Sequence, residues 1–430
     1  MDRDLTLAAL RRGDLAGARE IRLPDGLSEF PQELFGLADT LKLLDLGRGT
    51  YSLPDDLGRL RVLKVLFCSG TPFTRLPPAL GACEALSQVG FRGCGIAEVP
   101  GEALPPALRW LTLTDNRIAV LPDALGERPR LQKLMLSGNR LSRLPDGLAG
   151  AACLELIRIA SNRFEQLPPW LAEMPALAWL SYSGNPAEPR GAVSDPARVP
   201  WSALTVGPLL GEGSSGRVHR TLWRGGTGDT EVALKLFKGA VGSDGLPERE
   251  IEACLAAGDH PSLIGALGCL DGHPEGTPGL LLRLFPAGWP VLAAPPNLAS
   301  CSRDVYDPAL RFAPGAALRL ATGIASAVTH LHRRGLMHGD LYGHNILWDG
   351  GDGAAVLGDF GAASSLPGGQ AGRALARIET RAFGILLGEV LDRCDHRQQA
   401  LRDLQSACTG PDPAARPGMA EVADILDTLA

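Results

Sequence analysis

The chain has 430 residues, 45% of them hydrophobic, which is enough for two or three domains with cores of their own and excludes disorder over most of its length. Its 53 glycines and 34 prolines are spread among apolar stretches with no three-residue period, so neither a collagenous nor a low-complexity chain fits. The net charge of −6 divides into 23 acidic and 23 basic residues in 1–200 and 25 acidic and 19 basic in 201–430, leaving no basic face for nucleic acid or membrane, and no apolar run reaches 18 residues.

Residues 1–17 open with MDRDLTLAALRRGD, which predicts a short amphipathic capping helix too charged for a signal peptide. From there a pattern recurs whose first position falls at Ala18, Leu41, Leu63, Leu86, Leu108, Leu131, Leu154 and Leu177, in steps of 22 or 23. Leu108-x-x-Leu111-x-Leu113-x-x-Asn116-x-Ile118-x-x-Leu121-Pro122 matches Leu131-x-x-Leu134-x-Leu136-x-x-Asn139-x-Leu141-x-x-Leu144-Pro145 throughout. Residues 18–190 thus resemble a leucine-rich-repeat protein, which implies a solenoid. Alternating apolar positions such as Leu111 and Leu113 point inward from a short strand. Asn116, Asn139, Asn162 and Asn185 turn in to satisfy backbone groups, with Thr71 and Cys94 in the same slot earlier.

Strand residues between the inward leucines face the concave side and are the expected protein-binding surface: Phe67, Gln88, Arg92, Trp110, Thr112, Lys133, Met135, Arg158 and Trp179. Residues 191–202, in the proline-bearing segment from Pro186 to Pro200, read as an extended linker. The nine cysteines form no C-x-x-C, so reduced thiols of a cytoplasmic protein are expected.

After the linker stands Leu210-Gly211-Glu212-Gly213-Ser214-Ser215-Gly216-Arg217-Val218. The glycine triplet alone would arise about 0.8 times by chance in so glycine-rich a chain, so its context decides. Nineteen residues after Gly216 comes Lys235 in Val232-Ala-Leu-Lys, and only five of the 42 basic residues are lysine, which points to a site needing a compact ammonium. Arg249-Glu250-Ile251, His338-Gly339-Asp340-x-x-x-x-Asn345 and Asp359-Phe-Gly361 follow in order. Residues 203–430 resemble a eukaryotic-type protein kinase domain.

That resemblance implies roles residue by residue. The glycine loop, Leu210 to Val218, admits ATP phosphates; Lys235 contacts them and is held by Glu250, with Glu252 the runner-up. Asn345 and Asp359 hold Mg²⁺, and Asp340 orients the attacking hydroxyl. His338 is read as structural, His344 as pocket lining or solvent-facing, and no histidine cluster reads as a zinc site.

The chain also departs from the family. Gly339 stands where the family carries an arginine that receives a loop phosphate, and Tyr342 where Ser/Thr kinases carry a lysine. About 17 residues separate Gly361 from a helix near Glu379, with Ser364 and Ser365 too close to Asp-Phe-Gly for the usual switch, which argues against activation by loop phosphorylation. Ala-Pro-Glu is missing and Arg373-Ala-Leu-Ala-Arg377 occupies its region, so Arg416 is expected to pair elsewhere, with Glu379 as a substitute.

The expected fold is an α/β leucine-rich-repeat solenoid followed by a two-lobed α+β protein kinase. The expected function is a soluble, cytoplasmic, ATP- and Mg²⁺-dependent Ser/Thr kinase whose repeats bind a protein, with no nucleic acid or membrane partner. The excess of Arg over Lys, with abundant Ala, Gly and Pro, suggests a bacterial source. Two other readings stay open on the residues: an ATP-binding scaffold without turnover, and a phosphotransferase acting on a small hydroxyl compound.

Overall fold

The apolar positions of the repeat set short strands at repeat spacing. In the computed structural model, which describes residues 3–189, 197–213, 215–225, 228–239, 242, 244–394 and 398–429, the chain divides into units Met1–Trp170 and Leu171–Ala430. The first unit opens with α1 (Arg3–Arg12), followed by β1 (Glu20–Arg22), β2 (Leu43–Asp45), β3 (Val65–Phe67), β4 (Gln88–Gly90), β5 (Trp110–Thr112), β6 (Lys133–Met135) and β7 (Leu156–Arg158). Neighbouring strands pair in parallel one repeat apart, as in Trp110 opposite Gln88 and Lys133. Each strand carries a buried central residue such as Leu111 or Leu134.

Asn116 Nδ2 donates to the carbonyls of Phe91 (2.7 Å) and Leu113 (2.9 Å), while its Oδ1 accepts from Ile96 N–H at 2.9 Å. Asn139 and Asn162 repeat this by accepting from Ile118 and Leu141 N–H. Cys94, in the earlier slot, sends its thiol toward the Cys68 carbonyl, and burial pushes that thiol up to about 11. The helical part of each repeat is a 3-10 turn, such as Asp123–Leu125 or Asp146–Gly150, introduced by Pro122 or Pro145. Among the described residues of this unit α1 is the only α-helix, so the expected α/β repeat is a strand-and-3-10 repeat. Three to six residues are too few for a stable α-helix.

The second unit begins inside the repeat region. It contains β8 (Trp179–Ser181), β9 (Arg198–Pro200), β10 (Leu204–Glu212), β11 (Gly216–Gly225), β12 (Gly228–Phe237), α2 (Pro247–Ala257), β13 (Ala266–Asp271), β14 (Gly279–Arg283) and α3 (Pro314–Arg333). After these come β15 (Leu336–Met337), β16 (Ile346–Trp348), β17 (Ala355–Leu357), β18 (Ser364–Ser365), α4 (Gly369–Leu391), α5 (Gln399–Cys408) and α6 (Met419–Leu429).

A mixed sheet in the order β10-β11-β12-β14-β13-β9 packs Val199, Val232, Leu234 and Leu281 into one cluster. β9 corrects the linker expectation, because Arg198–Pro200 pairs in parallel with β13, where the prolyl nitrogen is tolerated on an edge strand. The rest of the expected linker, residues 191–196, lies outside the described residues. The helices α3 and α4, both with long buried apolar stripes, enclose in sequence the segments that bear Asp340, Asn345 and Asp359. Among the described residues no helix is long and apolar enough to cross a membrane.

Candidate active site

β10 and β11 form the glycine hairpin. Gly216 is required there, since a Cβ would sit 2.4 Å from the Leu236 carbonyl oxygen of β12. Leu210, Gly211 and Val218 line a cleft of about 860 Å³ together with Lys235, Glu250, Asn345 and Asp359. Glu212, Gly213, Ser215, Gly216 and Arg217 complete the hairpin without lining the cleft, and Ser214 lies outside the described residues. Glu212 is engaged by Lys238 (2.8 Å) and Arg217 (3.3 Å), whose hydrogen bonds hold its carboxyl below the usual range. Phe285, Trp289, Val291 and Leu347 also line the cleft. Sequence reasoning passed over them because apolar residues after a strand carry no motif.

Lys235 on β12 meets Glu250 on α2 in a buried ion pair, and Glu252 turns instead to Arg249 at 2.6 Å. Asp359 Oδ1 lies 4.0 Å from the same ammonium, so two carboxylates flank one cation. Burial and the charge of Asp359 push the Glu250 carboxyl up to about 7, against the pull of Lys235. Burial works to lower Lys235, but Asp359 and Glu250 outweigh it and keep the ammonium charged. Asp359 is held at φ 57°, a left-handed conformation that Asp tolerates, with its Oδ1 accepting from Gly361 N–H at 3.1 Å.

The catalytic loop follows β15. Asn345 Nδ2 donates to both the carbonyl and the Oδ2 of Asp340 at 2.9 Å, fixing the two side chains to each other. The His338 ring, fully buried, bonds the Gly358 carbonyl at 2.9 Å and packs on Phe360, consistent with a structural role. Glu379 on α4 accepts from Gly339 N–H (2.8 Å), from His338 N–H (3.3 Å) and from His332 Nε2 (2.7 Å). Burial would raise its carboxyl, but His332 and these contacts hold it below the usual range. This corrects the expected Arg416–Glu379 pair: Arg416 donates to the carbonyls of Gly410 (2.9 Å) and Pro175 (2.6 Å), and burial, with Arg381 nearby, brings it down to about 10.

The segment after Asp-Phe-Gly is shorter than expected, because α4 starts at Gly369 and absorbs Arg373 through Arg377. Ser364 and Ser365 pair with Met337 and Leu336, and Ser364 is buried. His344, lining the cleft, is held by Asp304: its Nδ1 lies 2.7 Å from Oδ1, and its N–H donates to Oδ2 at 3.0 Å. Burial depresses the imidazole, but Asp304 and then Asp340 outweigh it and raise its pKa. Asp304 sits in the stretch between β14 and α3, which carries no motif in sequence.

Four of the expected protein-binding residues, Gln88, Met135, Arg158 and Trp179, are buried. Trp179 is 1% exposed, its ring stacked on Tyr342 at 4.2 Å and 6°. An indole between two apolar strand positions reads as an outward anchor only while its neighbour in space is unknown. Arg92 is exposed, and Phe67, Trp110, Thr112 and Lys133 are partly so, with Lys133 Nζ 4.1 Å from the Trp110 ring centre.

A leucine-rich repeat matches residues 106–164 and a protein kinase domain matches residues 204–384. The chain is 29% identical over 178 residues to the serine/threonine-protein kinase PkaB of Streptomyces coelicolor, a match covering 39% of this chain and 38% of that protein. It is 27% identical over 172 residues to the serine/threonine-protein kinase mos of Xenopus laevis, covering 39% and 44%. With the mitogen-activated protein kinase kinase kinase mkh1 of Cytospora mali the identity is 30% over 165 residues, covering 36% and 8%. The chain therefore spans less than half the length of each of these relatives. One chain thus carries, in this order, a segment that matches a leucine-rich repeat and a segment that matches a protein kinase domain.

Proposed function

We propose that the chain is an ATP- and Mg²⁺-dependent protein kinase acting on Ser or Thr hydroxyls, with an upstream solenoid whose concave face binds a protein through Phe67, Arg92, Trp110 and Lys133. The observation that carries the reading is the convergence of Lys235, Glu250, Asn345 and Asp359 on one cleft, with Asp340 tied to Asn345. The donor set suits the cofactor: a half-exposed carboxylate on Asp359 and the amide oxygen of Asn345 are hard ligands, the kind that hold Mg²⁺ when phosphates supply the rest. When bound, Mg²⁺·ATP supplies the phosphoryl group and the counter-charge.

The chain's own residues do the rest. Lys235 donates to phosphate oxygens from a position fixed by Glu250. Asp340 accepts the proton of the attacking hydroxyl, and Asn345 keeps that carboxylate in place. Incubation of the full chain with labelled ATP, Mg²⁺ and a generic protein substrate tests this. Wild type is expected to transfer phosphate, and Asp340→Asn to lose about a hundredfold or more; equal incorporation by both removes the assignment.

A further inference from the structure

We propose that the last leucine-rich repeat, around β8, is a working part of the phosphotransferase, with Trp179 as the positioning residue of the catalytic loop. The proposal rests on the kinase reading above. Every contact it uses lies within the second unit.

β8 and the turn after it touch three segments around the site. Trp179 Nε1–H donates to the Leu341 carbonyl at 3.1 Å, and its ring stacks on Tyr342. Tyr342 in turn lies 4.9 Å from the His344 ring, beside Asn345. Ser181 Oγ–H donates to the Asp244 carbonyl (3.0 Å), just ahead of the helix that carries Glu250. Tyr182 N–H donates to Ser364 Oγ (3.0 Å) and Tyr182 O–H to the Ser365 carbonyl (2.7 Å), while Glu188 accepts from Ser365 N–H (2.9 Å). One strand and its turn thus fasten the catalytic loop, the segment after Asp-Phe-Gly and the approach to α2.

Two family departures take on a physical cause here. Gly339 is at φ 74°, and a Cβ on it would lie 2.5 Å from the Leu180 carbonyl oxygen and 2.7 Å from that of Ala362. An arginine at this position is therefore barred by β8 together with the Ala362 carbonyl and the left-handed backbone, and the anchoring that a phosphate and its arginine reader would provide is supplied by the repeat. Tyr342, in the place of a lysine, is the flat partner that Trp179 needs, and the Arg303 guanidinium lies over the Trp179 ring, 5.3 Å from its centre. The loss of Ala-Pro-Glu follows the same pattern: Arg416 finds the Pro175 carbonyl, and Arg381 finds that of Ala176 at 3.1 Å.

The test uses the full chain and the variants Trp179→Ala, Trp179→Met and Trp179→Phe. Steady-state transfer, Mg²⁺·ATP affinity, thermal melting and hydrogen exchange of residues 338–345 are measured on each. The expected result for Trp179→Ala is a fall in kcat on the order of 10- to 100-fold with KM for ATP within about twofold, and faster exchange in the loop. Trp179→Phe, which keeps the stacked ring, should recover most of both. Should Trp179→Ala not fold, Trp179→Met, which fills the volume without ring or N–H, takes its place. An unchanged kcat with unchanged exchange overturns the proposal, and so does a rise in kcat, which would make the repeat an inhibitory wedge. If wild type transfers no phosphate, the kinase reading has failed, and exchange in the Trp179 variants still decides whether β8 holds the loop.

Discussion

At the scale of single residues, the second unit buries several charges whose partners decide their protonation. Glu389 on α4 accepts from Tyr306 O–H at 3.0 Å, and burial, together with Asp304, pushes its carboxyl up to about 7. A carboxyl raised above its unfolded value of 4.5 binds more protons in the folded state, so stability falls as pH rises from about 4.5 to about 7 and stays low above that. Glu389→Gln keeps an acceptor for Tyr306 without the charge. Its melting temperature is expected to match wild type near pH 5 and to exceed it at pH 8, by the equivalent of about 2 kcal/mol; parallel pH curves for the two proteins would show that Glu389 is not the group responsible. In sequence Glu389 is one acid on an amphipathic helix, and nothing in its spacing marks it, because the partners that perturb it lie about 83 residues away.

At the scale of elements, the segment from Asp359 to α4 is pinned along its length rather than free to reorder. Ser364 is buried in the short β15–β18 pair and accepts from Tyr182 N–H. Ser365→Ala is therefore expected to leave turnover within about threefold, and phosphatase treatment to leave it unchanged. Ser364→Ala should lower stability by about 1 kcal/mol by orphaning the Tyr182 amide. Loss of activity on dephosphorylation would mean that a phosphorylated residue does control this segment.

The parts legible in the sequence were those set by local periodicity or fixed spacing: the strand leucines, the Asn slots, the Gly-x-Gly hairpin, the Lys235, Asn345 and Asp359 positions that the structure brings to one cleft, and Asp340, hydrogen-bonded to Asn345 beside it. The parts not legible were set by contacts between distant segments. Trp179 occupies the same phase as Trp110 in the repeat, yet it is buried against Tyr342, 163 residues later. Glu379 could be placed on a buried helix but not assigned to the Gly339 amide, and the start of α4 at Gly369 is hidden because its first turn is Gly-rich. The 3-10 turns of the repeats were missed for a simpler reason: leucine spacing alone does not separate a 3-10 turn from a short α-helix.

At the scale of the molecule, the break between compact units falls at Trp170–Leu171, well before the glycine hairpin. A fragment of residues 1–170 is expected to fold alone, since its strands pair with sequential neighbours. A fragment beginning at residue 171 should melt at least about 5 °C above one beginning at residue 203, which lacks Trp179, Ser181, Tyr182 and Glu188. Equal melting temperatures would show that β8 adds nothing to the catalytic unit. The close approach of Gly339 to the Leu180 carbonyl bears on how such a gene can be recombined. A crossover placed at the boundary of the kinase motifs separates a glycine from a backbone carbonyl packed against it, so exchanging repeat modules at residue 203 would yield a damaged second unit from two sound parents. A crossover upstream of 171, adding or removing whole repeats of 22 or 23 residues, leaves that pairing in one inheritance block.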